Sequence, residues 1–463
     1  MKRNLLLILV FLASALLAEA RKVSGRVESE GKAVSGVIVT DGKNFTRTGN
    51  NGKFRMDIDD STEFVYIVTP SGYVADWSSG VPAFYQSAKG RRKFIFDLQK
   101  TMDTDDYHIV AIADPQTYSD AHFDEFAGQP LADIAATAKT FEAPSVGLAL
   151  GDISWDRIEI LDKYKKAVVR AGIPFYPVVG NHDNEAYIEG DGKASATYRS
   201  KMGPENYAFF LGPDVVIVLD NIIYETNFKC RIGYIDEVME WVEELVTMLP
   251  QDAVIYVAHH SPLGHGGRRI INGDRLLEAL RGHEITFLSG HTHVNGNHII
   301  GEGITEHNVA AICGAWWETA HCTDGTPRGY KVFTKTAGEL SWYYKPVGYG
   351  KDHIAEAFAP GCVADHPDAF VVNVWDWDPM WKVEWYEDGK YMGEMTPVRA
   401  VSPIFSKEIA EAYKNRGEEI PRWKSARPSG HNFAAVPSPE ARTLTITVRS
   451  RFGQVWTRSF DVE

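Results

Sequence analysis

A chain of 463 residues with 44% hydrophobic side chains and 12 Trp, 20 Tyr and 22 Phe can bury more than one core, so two or three domains are expected and a disordered chain is excluded. A formal charge of −14 argues against a broad grip on a nucleic-acid duplex, which needs clustered Lys and Arg. The four Cys are too few for a disulfide scaffold and none forms a C-x-x-C pair; Cys313 and Cys322 are near enough to bridge, with buried free thiols the equal alternative.

In chain order, Lys2 and Arg3 precede an apolar stretch over residues 5–17, followed by Ala18-Glu19-Ala20. This reads as a secretory signal, residues 1–20, too short for a comfortable membrane span. No other segment is apolar enough to cross a bilayer, so the expected locations are periplasm, cell surface or medium. Residues 22–99 alternate short strands with Gly and Asn turns, as in "KVSGRVES", "FRMDI" and "KFIFDL", the pattern of a small β-sandwich. The basic run at 89–93 inside it reads as a solvated turn.

Residues 105–345 change texture. Apolar runs "HIVAIA", "SVGLAL", "FYPVV", "VVIVL", "AVIYVA" and "ITFLSG" alternate with amphipathic stretches, for example 156–170 and 235–249, which predicts an α/β layer. From 353 to 463 strand-like runs return, with Asp388-Gly389 as a hairpin turn, predicting a second β-rich domain.

The chemistry sits in the middle segment. Asp114-Pro115-Gln116, Gly151-Asp152, Gly180-Asn181-His182-Asp183, His259-His260-Ser261-Pro262 and Gly290-His291-Thr292-His293 each begin where an apolar run ends. In an open α/β sheet, ligands bind beyond the carboxyl ends of the strands, so all five clusters should meet at one crevice. Asp, Asn and His packed together at strand ends are poor core material, so something charged is expected to sit there.

In order and type these clusters resemble the calcineurin-like metallophosphoesterase family, whose pattern is D-x-H, G-D, G-N-H-[DE], H and G-H-x-H. The resemblance spans 114–293 and implies a β-sandwich core flanked by helices, here with small all-β domains at both ends. The first of these, through "AVSGVIVTDGKNFTRTGNNGKFRM", resembles a carboxypeptidase-regulatory-like module. The family pattern implies Asp152 as the bridging ligand, Asp114, Gln116 and His293 at one metal, and Asn181, His260 and His291 at the other. His259 would then be a supporting or packing residue. The metals implied are two from Mn, Zn, Fe and Ni.

Gln116 departs from the family's His, and an amide oxygen is a poorer donor to Zn or Fe than imidazole. Trp155 stands where the purple acid branch has a Tyr ligand, so a tyrosinate–iron site is not expected. His182 would protonate the leaving oxygen or stabilise developing charge, with Asp183 orienting that imidazole or capping the next turn. A metal-bridging hydroxide would attack phosphorus. Possible substrate contacts are His265, Arg268 and Arg269 on the "HSPLGHGGRR" loop, and Trp316 and Trp317 as walls.

The expected function is therefore an exported phosphoesterase acting on small phosphate mono- or diesters. The alternatives are a nucleotide or lipid-headgroup diesterase and a metal-depleted cell-surface binding protein.

Overall fold

The computed structural model describes residues 21–264 and 270–462. The leader read at 1–20 and the loop residues His265, Arg268 and Arg269 lie outside the described residues.

The N-terminal region is all β. Lys53–Ile58 and Lys93–Lys100 bury every second residue, Phe54, Met56 and Ile58 on one and Phe94, Phe96 and Leu98 on the other, as a half-buried strand requires. Both pair with Arg21–Ser29, while Ile38–Thr40 and Phe64–Ile67 belong to a second sheet.

The middle layer is the β-sandwich core that the resemblance implied, not one open sheet. Its six apolar runs divide three and three between two sheets. Phe175–Val178, Ser145–Leu150 and Tyr107–Ile112 lie parallel in the first, extended by Gly329–Thr336 and Glu339–Pro346. Asp214–Val218, Ile255–Ala258 and Ile285–Ser289 lie parallel in the second. The sheets pack face to face through one apolar core that includes Ile109, Leu148, Val216 and Val257. Continuous apolar strands without alternation are what a sheet covered on both faces demands.

Tyr107 and Asp214 each begin a strand, one in each sheet, and the Tyr107 hydroxyl meets Asp214 Oδ2 at 2.6 Å and the Tyr256 hydroxyl at 2.8 Å. The two sheets therefore enter the sandwich at one end, and their carboxyl ends open together at the other. The stretch expected as one helix over 156–170 is a short helix, Leu161–Val168, between two 3-10 turns, Ile158–Ile160 and Val169–Ala171.

The C-terminal region has two four-stranded sheets and one helix absent from the sequence reading, Pro403–Arg416. Ser402 caps it, accepting from the Phe405 amide at 3.3 Å, and Gly417 ends it at φ +70°. Phe405, Ile409 and Tyr413, spaced by four, form its buried face. All four cysteines are free thiols, with Cys313 and Cys322 buried. Among the described residues no helix is long and apolar enough to cross a membrane.

Candidate metal centre

The polar clusters leave the carboxyl ends of five strands: Tyr107–Ile112, Ser145–Leu150 and Phe175–Val178 from one sheet, Ile255–Ala258 and Ile285–Ser289 from the other. The backbone there is under strain. Asp114, Gln116, Asp152, His291 and His293 all have positive φ, at 50°, 39°, 50°, 70° and 56°. A left-handed conformation costs a residue with a Cβ about 1–2 kcal/mol, and such strain persists where function needs the side chain re-aimed. The motif glycines are set by crowding. A Cβ on Gly180 would lie 2.1 Å from the Asp152 amide nitrogen, and one on Gly151 would lie 2.4 Å from His260 Nδ1.

Four potential ligand atoms converge. His260 Nε2 is 3.1 Å from Asn181 Oδ1, 3.1 Å from His291 Nδ1 and 3.3 Å from Asp152 Oδ1. His260 Nδ1 donates to the Leu150 carbonyl at 2.7 Å, which turns Nε2 toward the other three. The second oxygen of Asp152 faces the other way and accepts from Gln116 Nε2 at 2.9 Å. Beyond Gln116 are Asp114 and His293, with His293 Nε2 3.4 Å from Asp114 Oδ1. Asp114 Oδ2 accepts the His291 amide at 2.8 Å. Asp152 thus joins Gln116 to the four-atom group, and Asp114 joins His293 to the His291 backbone.

Burial by itself would raise Asp152, but His260, His182 and His291 outweigh it and hold the carboxyl far below its ordinary range. Burial lowers His260, yet the facing Asp152 carboxylate pushes it up to about 9. His182 lies beside this group. Its amide donates to Asp152 Oδ1 at 2.9 Å, and its Nδ1 meets Asp156 Oδ1 at 2.9 Å. Burial is again outweighed, by Asp152 and Asp156, and His182 is raised above its usual value.

Of the two roles expected for Asp183, orienting the His182 ring is corrected, because Asp156 is the carboxylate bonded to that ring. Asp183 is fully buried and accepts the amides of Ile153, Ser154 and Gly180 at 3.2, 2.8 and 3.0 Å, so it braces the loop. His259 faces away from the four-atom group, bonded to the Tyr234 hydroxyl at 2.6 Å and 3.5 Å from Glu306.

These groups open into a cavity of about 1000 Å³ lined by Gln116, Asp152, Asn181, His182, His291 and His293. Trp316 lines it and stacks on His293 at 4.6 Å. Trp317 does not line it; its indole N–H donates to the Pro115 carbonyl at 2.9 Å, bracing the first motif from behind. Wall residues missed in the sequence are Asp156, Thr323, Phe228 on a hairpin, and Trp423 and Arg427 from the C-terminal region. Only the aromatic and basic character of "RWKSAR" hinted at the last two, and nothing local places that segment over a cleft.

Three family models match in register with these regions. The one described as Calcineurin-like phosphoesterase covers residues 107–295, and those for the N terminal and C terminal of Calcineurin-like phosphoesterase cover 21–101 and 306–456. The chain belongs to the calcineurin-like phosphoesterases.

Similar solved structures include a dimetal phosphatase from Danio rerio, at 14% identity and TM-score 0.39, covering 52% of this chain and 96% of that one. A 5'-nucleotidase from Candida albicans is similar at 13% identity and TM-score 0.35, covering 54% of this chain and 53% of that one. A 5'-nucleotidase precursor from Thermus thermophilus is similar at 13% identity and TM-score 0.32, covering 52% and 54%. No curated protein matches the chain.

As a calcineurin-like phosphoesterase the protein is a metal-dependent phosphoester hydrolase, and its residues fit a cation. Asp152, His260 and His291 offer ligand atoms all within 4.8 Å of one another. The Asp152 carboxylate holds a proton on His260 Nε2, where it faces Asp152, Asn181 and His291; a cation bound among these atoms would take the place of that positive charge. Gln116 Oε1 is buried without a hydrogen-bond partner and Asp114 Oδ1 has only the long contact to His293, so an ion on that side would supply both.

Proposed function

We propose that the protein is an exported dinuclear phosphoesterase that hydrolyses small phosphate mono- or diesters. One ion would be held by Asp114, Gln116, Asp152 and His293, the other by Asp152, Asn181, His260 and His291. The convergence of Asp152, Asn181 and His291 on His260 Nε2 carries this reading. When bound, the ions would neutralise the phosphate and acidify a water for in-line attack.

The rest of the chemistry is assigned to the chain. Asp156 holds the His182 ring at the cavity wall, where it can give a proton to the departing oxygen. Asp183 fixes the two loops that carry Asp152 and Asn181 relative to each other. Trp155, Trp316 and Trp423 form an aromatic stretch of the cavity wall, with Trp423 edge-on to both other rings. The domains proposed are 22–99, 105–345 and 353–463, the middle one catalytic. Export rests on the leader-like stretch and its Ala18-Glu19-Ala20 site.

The test is metal analysis with turnover of p-nitrophenyl phosphate and bis-p-nitrophenyl phosphate after loading with Mn, Zn, Fe or Ni. Two ions per chain and metal-dependent turnover are expected. A protein that holds no ion and cleaves neither ester would return the reading to a binding protein.

A further inference from the structure

The catalytic cavity does not end at the metal-binding motifs. A second cavity, of about 500 Å³, adjoins it, and Thr292, Thr323 and Arg427 belong to the walls of both. Its remaining walls come from two sources: Asn295 and His298, just past the last motif, and Trp375, Trp377 and His431 from the C-terminal region.

These walls are held before any ligand arrives. Asn295 Nδ2 donates to the Trp375 carbonyl at 2.7 Å and to Asp376 Oδ1 at 3.1 Å. Asp324 accepts the Asn295 amide at 3.0 Å and faces His431 Nε2 at 3.2 Å. Trp377 is half-buried, one side packed on Phe433 at 5.6 Å. Around the cavity, Asn295 Oδ1, His431 Nδ1 and the indole N–H of Trp375 have no hydrogen-bond partner. Arg427 is exposed at the junction and makes no ion pair or hydrogen bond among the described residues.

Size and chemistry point the same way. Sites of about 300–1,000 Å³ hold a whole drug-sized ligand, so the catalytic cavity already exceeds what one phosphoryl group and its ions require. The adjoining cavity adds room for a substituent on the far side of phosphorus. Indole faces suit the C–H face of a ring, unmatched donors and acceptors suit hydroxyl groups, and a free guanidinium suits the charge of a phosphodiester.

Resting on the phosphoesterase reading, we propose that the second cavity binds one alcohol of a phosphodiester, and that this alcohol carries a hydroxyl-bearing ring. Cyclitols, sugars and nucleosides share that chemistry. Trp377 supplies the stacking face and Arg427 the counter-charge at the junction.

The test uses the full metal-loaded protein. Either glycerophosphoinositol should be cleaved with a kcat/KM roughly tenfold or more above that of ringless glycerophosphoethanolamine, or thymidine 5'-monophospho-p-nitrophenyl ester should show that advantage over methyl p-nitrophenyl phosphate. The first arm assigns the ring to a cyclitol or sugar, the second to a nucleoside. Trp377→Ala should erase the preference through KM, Trp377→Phe should keep most of it, and Arg427→Ala should raise KM for every diester. The absence of ring preference in both arms, or a preference that survives Trp377→Ala, overturns the proposal.

If no ester is cleaved, the phosphoesterase reading fails separately. The cavity is then read by calorimetric titration with glycerophosphoinositol and thymidine 5'-monophospho-p-nitrophenyl ester. Saturable binding of either that is lost in Trp377→Ala upholds the site, and the absence of binding by both overturns it.

Discussion

The N-terminal sandwich and the C-terminal region both read as short strands around Gly turns, yet only the second reaches the catalytic cavity. No described residue lining that cavity precedes Gln116, whereas Trp423 and Arg427 stand in its wall. The N-terminal sheets dock on the far flank of the core, where Phe84 packs on Tyr207 at 4.6 Å and Arg47 donates to the Met248 carbonyl at 2.8 Å. The C-terminal region docks beside the last metal motif. There Lys424 is buried, bonded to Glu318 at 2.6 Å, with its ammonium 4.7 Å from the Trp423 ring and 5.6 Å from Trp316. Two flanks of similar texture thus serve different ends: one covers apolar surface, the other builds a wall of the site.

The comparison can be broken at several points. The core shared by both flanks sets the scale: Asp152→Asn should cut turnover by roughly 10³-fold or more and release metal, since the proposed function makes it the one carboxylate common to both ions. Retained turnover with full metal content would contradict its bridging place.

Phe84→Ala in the N-terminal flank should cost about 3–5 kcal/mol of stability in denaturant melts while kcat/KM per folded molecule stays level. A matching loss of catalysis would mean that this flank also shapes the site.

Lys424→Ala should do the reverse. About 1–3 kcal/mol of stability is expected to go with the lost pairing to Glu318, with a larger fractional fall in kcat/KM as Trp423 loses its support. Kinetics and melts on one preparation separate the two effects.

Gln116→His should tighten the ion on the Asp114 side by roughly tenfold in competition with a chelator, because imidazole is the better donor to Zn or Fe. Unchanged affinity would place Gln116 outside that ion's ligands.

The last contrast is a pH dependence. Burial, outweighing the charge of Arg199, pushes Glu205 up to about 7 from an ordinary 4.5. The folded state then keeps a proton that the unfolded chain has released, so this group's stabilisation is complete below 4.5 and is lost as pH rises through 7. Glu205→Gln should flatten the decline across that window, read as the change in melting midpoint with pH.

Much of the site was legible because its chemistry is local. Apolar runs that end in Asp, Asn or His, with glycines where a neighbour crowds the backbone, are visible in one dimension, and Gly151 and Gly180 are explained by the contacts of His260 and Asp152. The helix Pro403–Arg416 was legible too, through its Ser402 cap and its apolar spacing, and was passed over in a stretch read as β.

What the sequence alone determined is the order and kind of the polar groups at the strand ends, since strand ends and turn residues follow from short-range sterics and hydrophobic pattern. The tertiary structure alone decided how the six strands divide between the two sheets, that Asp156 rather than Asp183 holds His182, and that Trp423 and Arg427 stand in the wall. Those choices depend on which surfaces bury each other across hundreds of residues, and periodicity along a chain carries no record of its partner.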